Sequence, residues 1–143
     1  MPEEVRTPEG TKYGPASLGR IKTCHPDLQR LAYEVEKVVE ASCVFGHRTQ
    51  DEQEEAFRLG RSTVRWPNSK HNQMPSMAID LAPWVNNKIP WEDREKFRAF
   101  GGLVIGIAFK MGIRIRWGGD WDGDWDFNDQ RLIDMPHFGL VEV

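Results

Sequence analysis

The strongest constraint on the fold is that helical and strand periodicities occupy separate stretches of the chain. Between residues 25 and 41, HPDLQRLAYEVEKVVEA repeats apolar side chains at helical spacing. Leu28, Leu31, Ala32, Val35, Val38 and Val39 fall on one face, and Pro26 suits a first helical turn. A second such stretch spans about 91 to 111, with Phe97, Phe100, Leu103, Val104, Ile107 and Met111 inward and Gly112 as its stop. Thr49-Gln50-Asp51-Glu52 has capping-box spacing and starts a third helix running to Gly60, with Ala56 and Phe57 inward. Strand signals are short: CVF at 43–45, AIDLA at 78–82, IRIRW at 113–117 and HFGLVEV at the end. Helices and strands that segregate in this way predict an α+β fold, a small antiparallel sheet packed with helices. The segment before about residue 22, and 1–16 above all, has no such period and is expected to be irregular.

A chain of 143 residues suits one domain, large enough for a core and a cleft. Its 19 basic and 22 acidic side chains are interspersed, giving a net charge of −3, so the electrostatic footprint of a nucleic-acid binder is missing. IRIRW with Lys110 is a small basic island, read as a solvated strand face. The longest apolar run, FGGLVIGIAF at 100–109, is too short to cross a bilayer and reads as a core helix. MPEEVRTPEG carries acidic residues and Pro where a secretory signal has basic residues and an apolar block, so the chain is expected to start in the cytoplasm. Cys24 and Cys43 flank a helix of about 17 residues, which would set them roughly 25 Å apart and preclude a disulfide. The same distance argues against a zinc cluster of Cys24, His25, Cys43 and His47.

Residues 61–77 have no periodicity and form a long loop leading into AIDLA, a pattern common at functional sites. Asp80 lies at the centre of that strand, between Ile79 and Leu81 and flanked on its own face by Ala78 and Ala82. A carboxylate in apolar surroundings needs a partner, either a cation it helps to bind or an Arg such as Arg48 or Arg116. His71 precedes it by nine positions. Near the end, Asp134-Met135-Pro136-His137-Phe138 sets a carboxylate three positions before a His that opens a strand. His137 can ligate a metal while Asp134 serves as general base, or the tetrapeptide can be a surface turn whose His packs on a Trp.

Taken together, His71, Asp80 and His137 form a set of two imidazoles and one carboxylate, which leaves one zinc ion an open fourth position, in a cleft on the sheet. Asp134 is then the base and later the acid toward the leaving amine, and Arg48 is a source of positive charge for the developing oxyanion. The loop DWDGDWD spaces Asp at every second residue but fails as an EF-hand, since its sixth and twelfth positions from Asp120 are Trp125 and Arg131. Its tryptophans, with Trp117, either offer faces to sugar or peptide or cover the end of the sheet.

S-x-H, A-x-D, W-G-G-D-W and D-x-P-H-F, in that order, resemble the zinc peptidases that comprise D-alanyl-D-alanine carboxypeptidases and phage L-alanyl-D-glutamate endopeptidases. The resemblance runs from about Ser17 to the C-terminus, through HPDLQRLAYEVEK, the Gly46-His47-Arg48 turn and Gln53. It implies His71, Asp80 and His137 as zinc ligands, Asp134 as catalytic base and Arg48 as transition-state stabiliser. Ser69, Asp120 and Trp121, from the same motifs, are the expected substrate-binding residues. The spacer after His71 and the choice of Asp as base resemble the phage group, whereas Gly139 stands where an acidic residue frequently follows H-F.

The expectation is therefore a monomeric phage or prophage endolysin that cuts the L-alanyl-D-glutamate bond of peptidoglycan stem peptides. By the resemblance, a holin would give it access to the wall. Two readings stand beside it: a D-alanyl-D-alanine carboxypeptidase or dipeptidase, and a non-catalytic wall-binding module with structural zinc.

Overall fold

The computed structural model describes residues 4–120 and 135–141. Four helices, α1 (Pro15–Ile21), α2 (Pro26–Val35), α3 (Gln50–Arg58) and α4 (Arg94–Lys110), pack with four strands. The strands are β1 (Ala41–Phe45), β2 (Ala78–Pro83), β3 (Ile115–Trp117) and β4 (His137–Leu140). They form one sheet in the order β1-β2-β4-β3, with every neighbouring pair antiparallel. The α+β architecture is as the periodicities predict.

The core lies between the sheet and helices α2 and α4. Leu28, Leu31 and Val35 from α2 and Phe97 and Val104 from α4 are fully buried with Ile79, Leu81 and Phe138 from the sheet. Each such side chain removed from water contributes about 1.5–3 kcal/mol, and this burial rather than helix propensity holds the short elements in place. β2 is buried along its whole length, since it is an inner strand with packing on both faces.

Several elements differ from the sequence reading for identifiable reasons. Residues 15–21 form α1 rather than irregular chain; it lacks a side-chain cap and is held by packing, with Ser17 Oγ accepting a hydrogen bond from the Cys43 amide at 3.0 Å. α2 stops at Val35 instead of continuing to Ala41, and Val38 is 63% exposed. Its end is fixed by Glu36, whose carboxylate accepts from Thr11 Oγ1 at 2.8 Å and from the Lys12 amide at 2.7 Å. α3 has the full capping box expected of Thr49 and Glu52. On α3, however, Gln53 joins Ala56 on the buried face, while Phe57 is exposed beneath the Arg65 guanidinium. α4 begins at Arg94, three residues late, because Asp93 is its cap and accepts from the Lys96 amide at 3.1 Å.

The early end of α2 also overturns the expected separation of the cysteines. Residues 36–40 reverse the chain into β1, so Cys24 and Cys43 belong to the same buried cluster. Both are free thiols. Burial pushes the Cys24 thiol up to about 12, and burial first, then the neighbouring Cys24, raises Cys43.

Candidate metal centre in the sheet cleft

Three segments meet at one point above β2. Asp80 is the register partner of His137 across the β2–β4 ladder, and of Phe45 on the β1 side. Residues paired across antiparallel strands project to the same face, so strand pairing alone brings the carboxylate and the imidazole together. His71 arrives from a 3₁₀ turn, Lys70–Asn72, built by its own flanking residues. Ser69 Oγ accepts from the His71 amide at 3.2 Å, and Asn72 Oδ1 accepts from the Ser69 amide at 3.1 Å. The turn is docked onto the Gly46-His47-Arg48 segment, where the Arg48 amide donates to the His71 carbonyl at 2.8 Å.

His71 Nε2 lies 3.0 Å from Asp80 Oδ1 and 3.1 Å from His137 Nδ1, and His137 Nδ1 lies 3.4 Å from Asp80 Oδ1. His71 Nδ1–H donates to the Gly46 carbonyl at 2.7 Å, an interaction that fixes the tautomer and leaves the Nε2 lone pair facing the other two donors. Three lone-pair atoms this close hold together around a cation or an added proton. A tetrahedral ion about 2.0–2.1 Å from each donor requires donor separations of about 3.3 Å, which these three match. Among the described residues, this is the group of His, Cys, Asp and Glu side chains whose donor atoms converge in this way. The residues present therefore fit a divalent metal, with the mixed nitrogen and oxygen donor set that suits zinc.

The electrostatics agree. Burial would raise the Asp80 carboxyl, but His71 and His137 outweigh it and hold the group well below the usual carboxylate range. Burial lowers His137 against the pull of Asp80, keeping its imidazole neutral, the form a ligand needs. Asp80 uses its second oxygen for the alternative partner that the sequence allowed: Arg48 Nη2 lies 3.4 Å from Oδ2. Metal-type clustering and ion pair are thus simultaneous, one on each oxygen.

Residues 10–141 match the family described as phage L-alanyl-D-glutamate peptidase. The chain belongs to this family. It is 31% identical over 121 residues to the L-alanyl-D-glutamate peptidase of Escherichia phage T5, covering 83% of this chain and 88% of that one. Its fold is similar to the crystal structure of the Serratia marcescens L-Ala D-Glu endopeptidase ChiX, with a TM-score of 0.69, 26% identity and 90% of each chain covered.

Around the family's shared motifs, this chain arranges supports that sequence reasoning left unassigned. Arg48 is buried, its guanidinium lies 4.3 Å over the Phe45 ring, and its Nε has no hydrogen-bond partner among the described residues. Gln53, fully buried, accepts from Arg48 Nη1 at 3.4 Å and from Asn72 Nδ2 at 3.3 Å, and donates to Val64 O at 2.8 Å and Ser62 Oγ at 3.0 Å. One carboxamide thus joins the His71 turn, Arg48 and the loop 62–64. The available signal was its i, i+3 spacing from Ala56, which puts both on one face of α3. Gly46 lets the segment that receives the His71 turn pack against the end of α1, since a Cβ there would meet the Arg20 carbonyl oxygen at 2.2 Å.

Trp117 is a structural residue and offers no face to substrate. It is 2% exposed, its ring lies where a Cβ on Gly101 or Gly119 would be, and its Nε1–H donates to the Met135 carbonyl at 2.6 Å. That bond holds the backbone two residues before His137. Trp91, stacked on Phe97 at 5.7 Å, instead lines the cleft. The cleft has a volume of about 780 Å³ and includes Arg48, Ser69, His71, Asp80 and His137 in its wall. Asp120 is buried at the end of β3, apart from the residues of that wall. Asp134 and Trp121, and with them the rest of the Asp- and Trp-rich loop, lie outside the described residues.

Proposed function

We propose that this chain is a zinc peptidase that hydrolyses the amide between L-alanine and D-glutamate in peptidoglycan stem peptides, as an endolysin. The convergence of His71 Nε2, Asp80 Oδ1 and His137 Nδ1 carries the reading, because three such ligands leave a metal one coordination position for chemistry. When bound, the ion supplies Lewis acidity, acidifying water and polarising the scissile carbonyl. All other work falls to the chain's own groups.

Asp134 takes a proton from the attacking water and passes it to the departing amine of D-glutamate as the C–N bond breaks, leaving a carboxylate on L-alanine. Its place three residues before His137 supports this role. Arg48, held by Asp80, Gln53 and the Phe45 ring, lines the cleft and supplies the positive charge of its guanidinium to the oxyanion that forms at the carbonyl carbon. Ser69 lines the cleft and keeps its hydroxyl proton for a peptide carbonyl while its oxygen caps the His71 turn; Trp121 is a further substrate contact, whereas the buried Asp120 serves the site from outside its wall.

No described helix is long and apolar enough to cross a membrane. We infer a monomer that reaches the wall from the host cytoplasm through a holin. The test is digestion of purified muropeptides by zinc-loaded protein, with products read by mass spectrometry. New L-alanine carboxyl and D-glutamate amino ends, lost with chelator and restored by zinc, are expected. Free D-alanine as the product would assign the chain to the carboxypeptidases instead, and binding to sacculi without soluble product would make it a wall-binding module.

A further inference from the structure

Three arginines follow one another along the end of α3 and the loop after it, and two of them are committed within the protein. Arg58 donates to both oxygens of Glu55, at 2.9 and 2.6 Å. Arg65 donates to Glu54, whose other oxygen accepts from the Trp66 amide. Arg61, between them, has its guanidinium hydrogen-bonded to no side chain among the described residues, and it lines the cleft that contains His71, Asp80 and His137. Glu55 feels its charge but is already taken by Arg58.

The backbone that presents Arg61 is fixed. Its amide and that of Ser62 both donate to the Ala56 carbonyl, at 2.8 and 3.2 Å. Gln53 then grips Ser62 Oγ and Val64 O on the far side. Among the described residues, the cleft wall holds the cations Arg48, Arg61 and Lys70 and the carboxylate of Asp80, in a chain whose net charge is −3. Of those cations, Arg48 is engaged by Asp80 and Lys70 by the Leu140 carbonyl. Cations in a cleft wall attract anionic substrates, and an uncommitted guanidinium on an anchored backbone selects planar carboxylates.

Resting on the peptidase reading above, we propose that Arg61 is a specificity-determining residue that reads the α-carboxylate of the D-glutamate on the leaving side of the scissile bond. In stem peptides the chain continues through the γ-carboxyl of this residue, so its α-carboxylate stays free beside the amide to be cut. Arg61 pairs with that carboxylate, and the same peptide with the group amidated, as D-isoglutamine, loses the pairing.

The experiment compares zinc-loaded wild type with R61Q and R61K on two synthetic peptides, L-Ala-γ-D-Glu-diaminopimelate and its α-amidated counterpart. Wild type is expected to favour the free acid by about tenfold in kcat/KM, carried by KM. R61Q is expected to cut both peptides equally, at the wild-type rate for the amide, and R61K to restore part of the preference. Equal cleavage by wild type, or a wild-type preference persisting in R61Q, overturns the role of Arg61 and leaves the peptidase reading standing. Cleavage of neither peptide by wild type overturns both.

Discussion

Asp80 and His137 face each other directly across the β2–β4 ladder, so the relative position of two candidate metal ligands is set by backbone hydrogen bonds. His71 then needs only its own capped turn to complete the group. Removing one imidazole should leave the sheet intact and destroy metal retention. His137→Ala is expected to fold, to purify without a stoichiometric divalent ion, and to lose hydrolysis; metal analysis by mass spectrometry beside circular dichroism checks it. A variant that still held one zinc per chain would contradict the assignment.

Asp134 is assigned to proton transfer and not to binding the ion. Asp134→Ala should therefore keep its zinc while kcat falls by about 10²–10⁴-fold with KM little changed, the range typical of a lost general base. Steady-state kinetics on a stem peptide decide, and near wild-type turnover would remove Asp134 from the mechanism.

Gly46 serves the site by having no side chain. Gly46→Ala places a Cβ against the backbone of Arg20, which cannot give way as a flexible side chain would. We expect a loss of about 1–3 kcal/mol in stability from this overpacking. Since the carbonyl of Gly46 itself is the acceptor for His71 Nδ1–H and shifts with its residue, zinc affinity should fall by about tenfold or more as well. Thermal melts with and without zinc separate the two effects.

The metal-free protein should weaken as pH falls. His137 is depressed by burial, so below its unfolded value of about 6.5 the unfolded chain binds a proton that the native state refuses, and unfolding gains. Asp80 is depressed by the two histidines against burial; its contribution is complete above the unfolded carboxylate value of about 3.9 and is lost as pH falls below it. Urea midpoints are expected to decline from about pH 6.5 and to continue declining into the acid range. A profile flat from pH 8 to 5 would show that His137 is not held neutral.

Trp117→Phe keeps an aromatic ring between Gly101 and Gly119 but removes the donor to Met135. The orphaned buried carbonyl should cost about 1–3 kcal/mol. Zinc affinity is expected to drop with it, because the backbone leading into His137 loses its tether; unchanged affinity in a calorimetric titration would sever that connection.

What the sequence revealed was governed by how local the cause was. A capping box at Thr49 and Glu52 involves four adjacent residues, and it is present as read. Asp80 stood out because a carboxylate in an apolar strand is costly, and that cost does not depend on knowing the fold. α1 could not be read, since its seven residues are held by a bond to β1 and not by a cap. Gln53 sat hidden in the polar run QDEQEE, where only its spacing from Ala56 tells it from its polar neighbours. The cysteine separation failed because it assumed an uninterrupted helix, whereas Glu36 ends α2 by binding a segment more than twenty residues away.

The placement of the Trp117 ring reaches beyond the cleft. Because the indole occupies the space above Gly101, helix α4 is part of the scaffold that aims the last strand, although no residue of that helix lines the cleft. Redesign of α4 for durability is thereby restricted: its outward residues are open to change, while position 101 must stay bare.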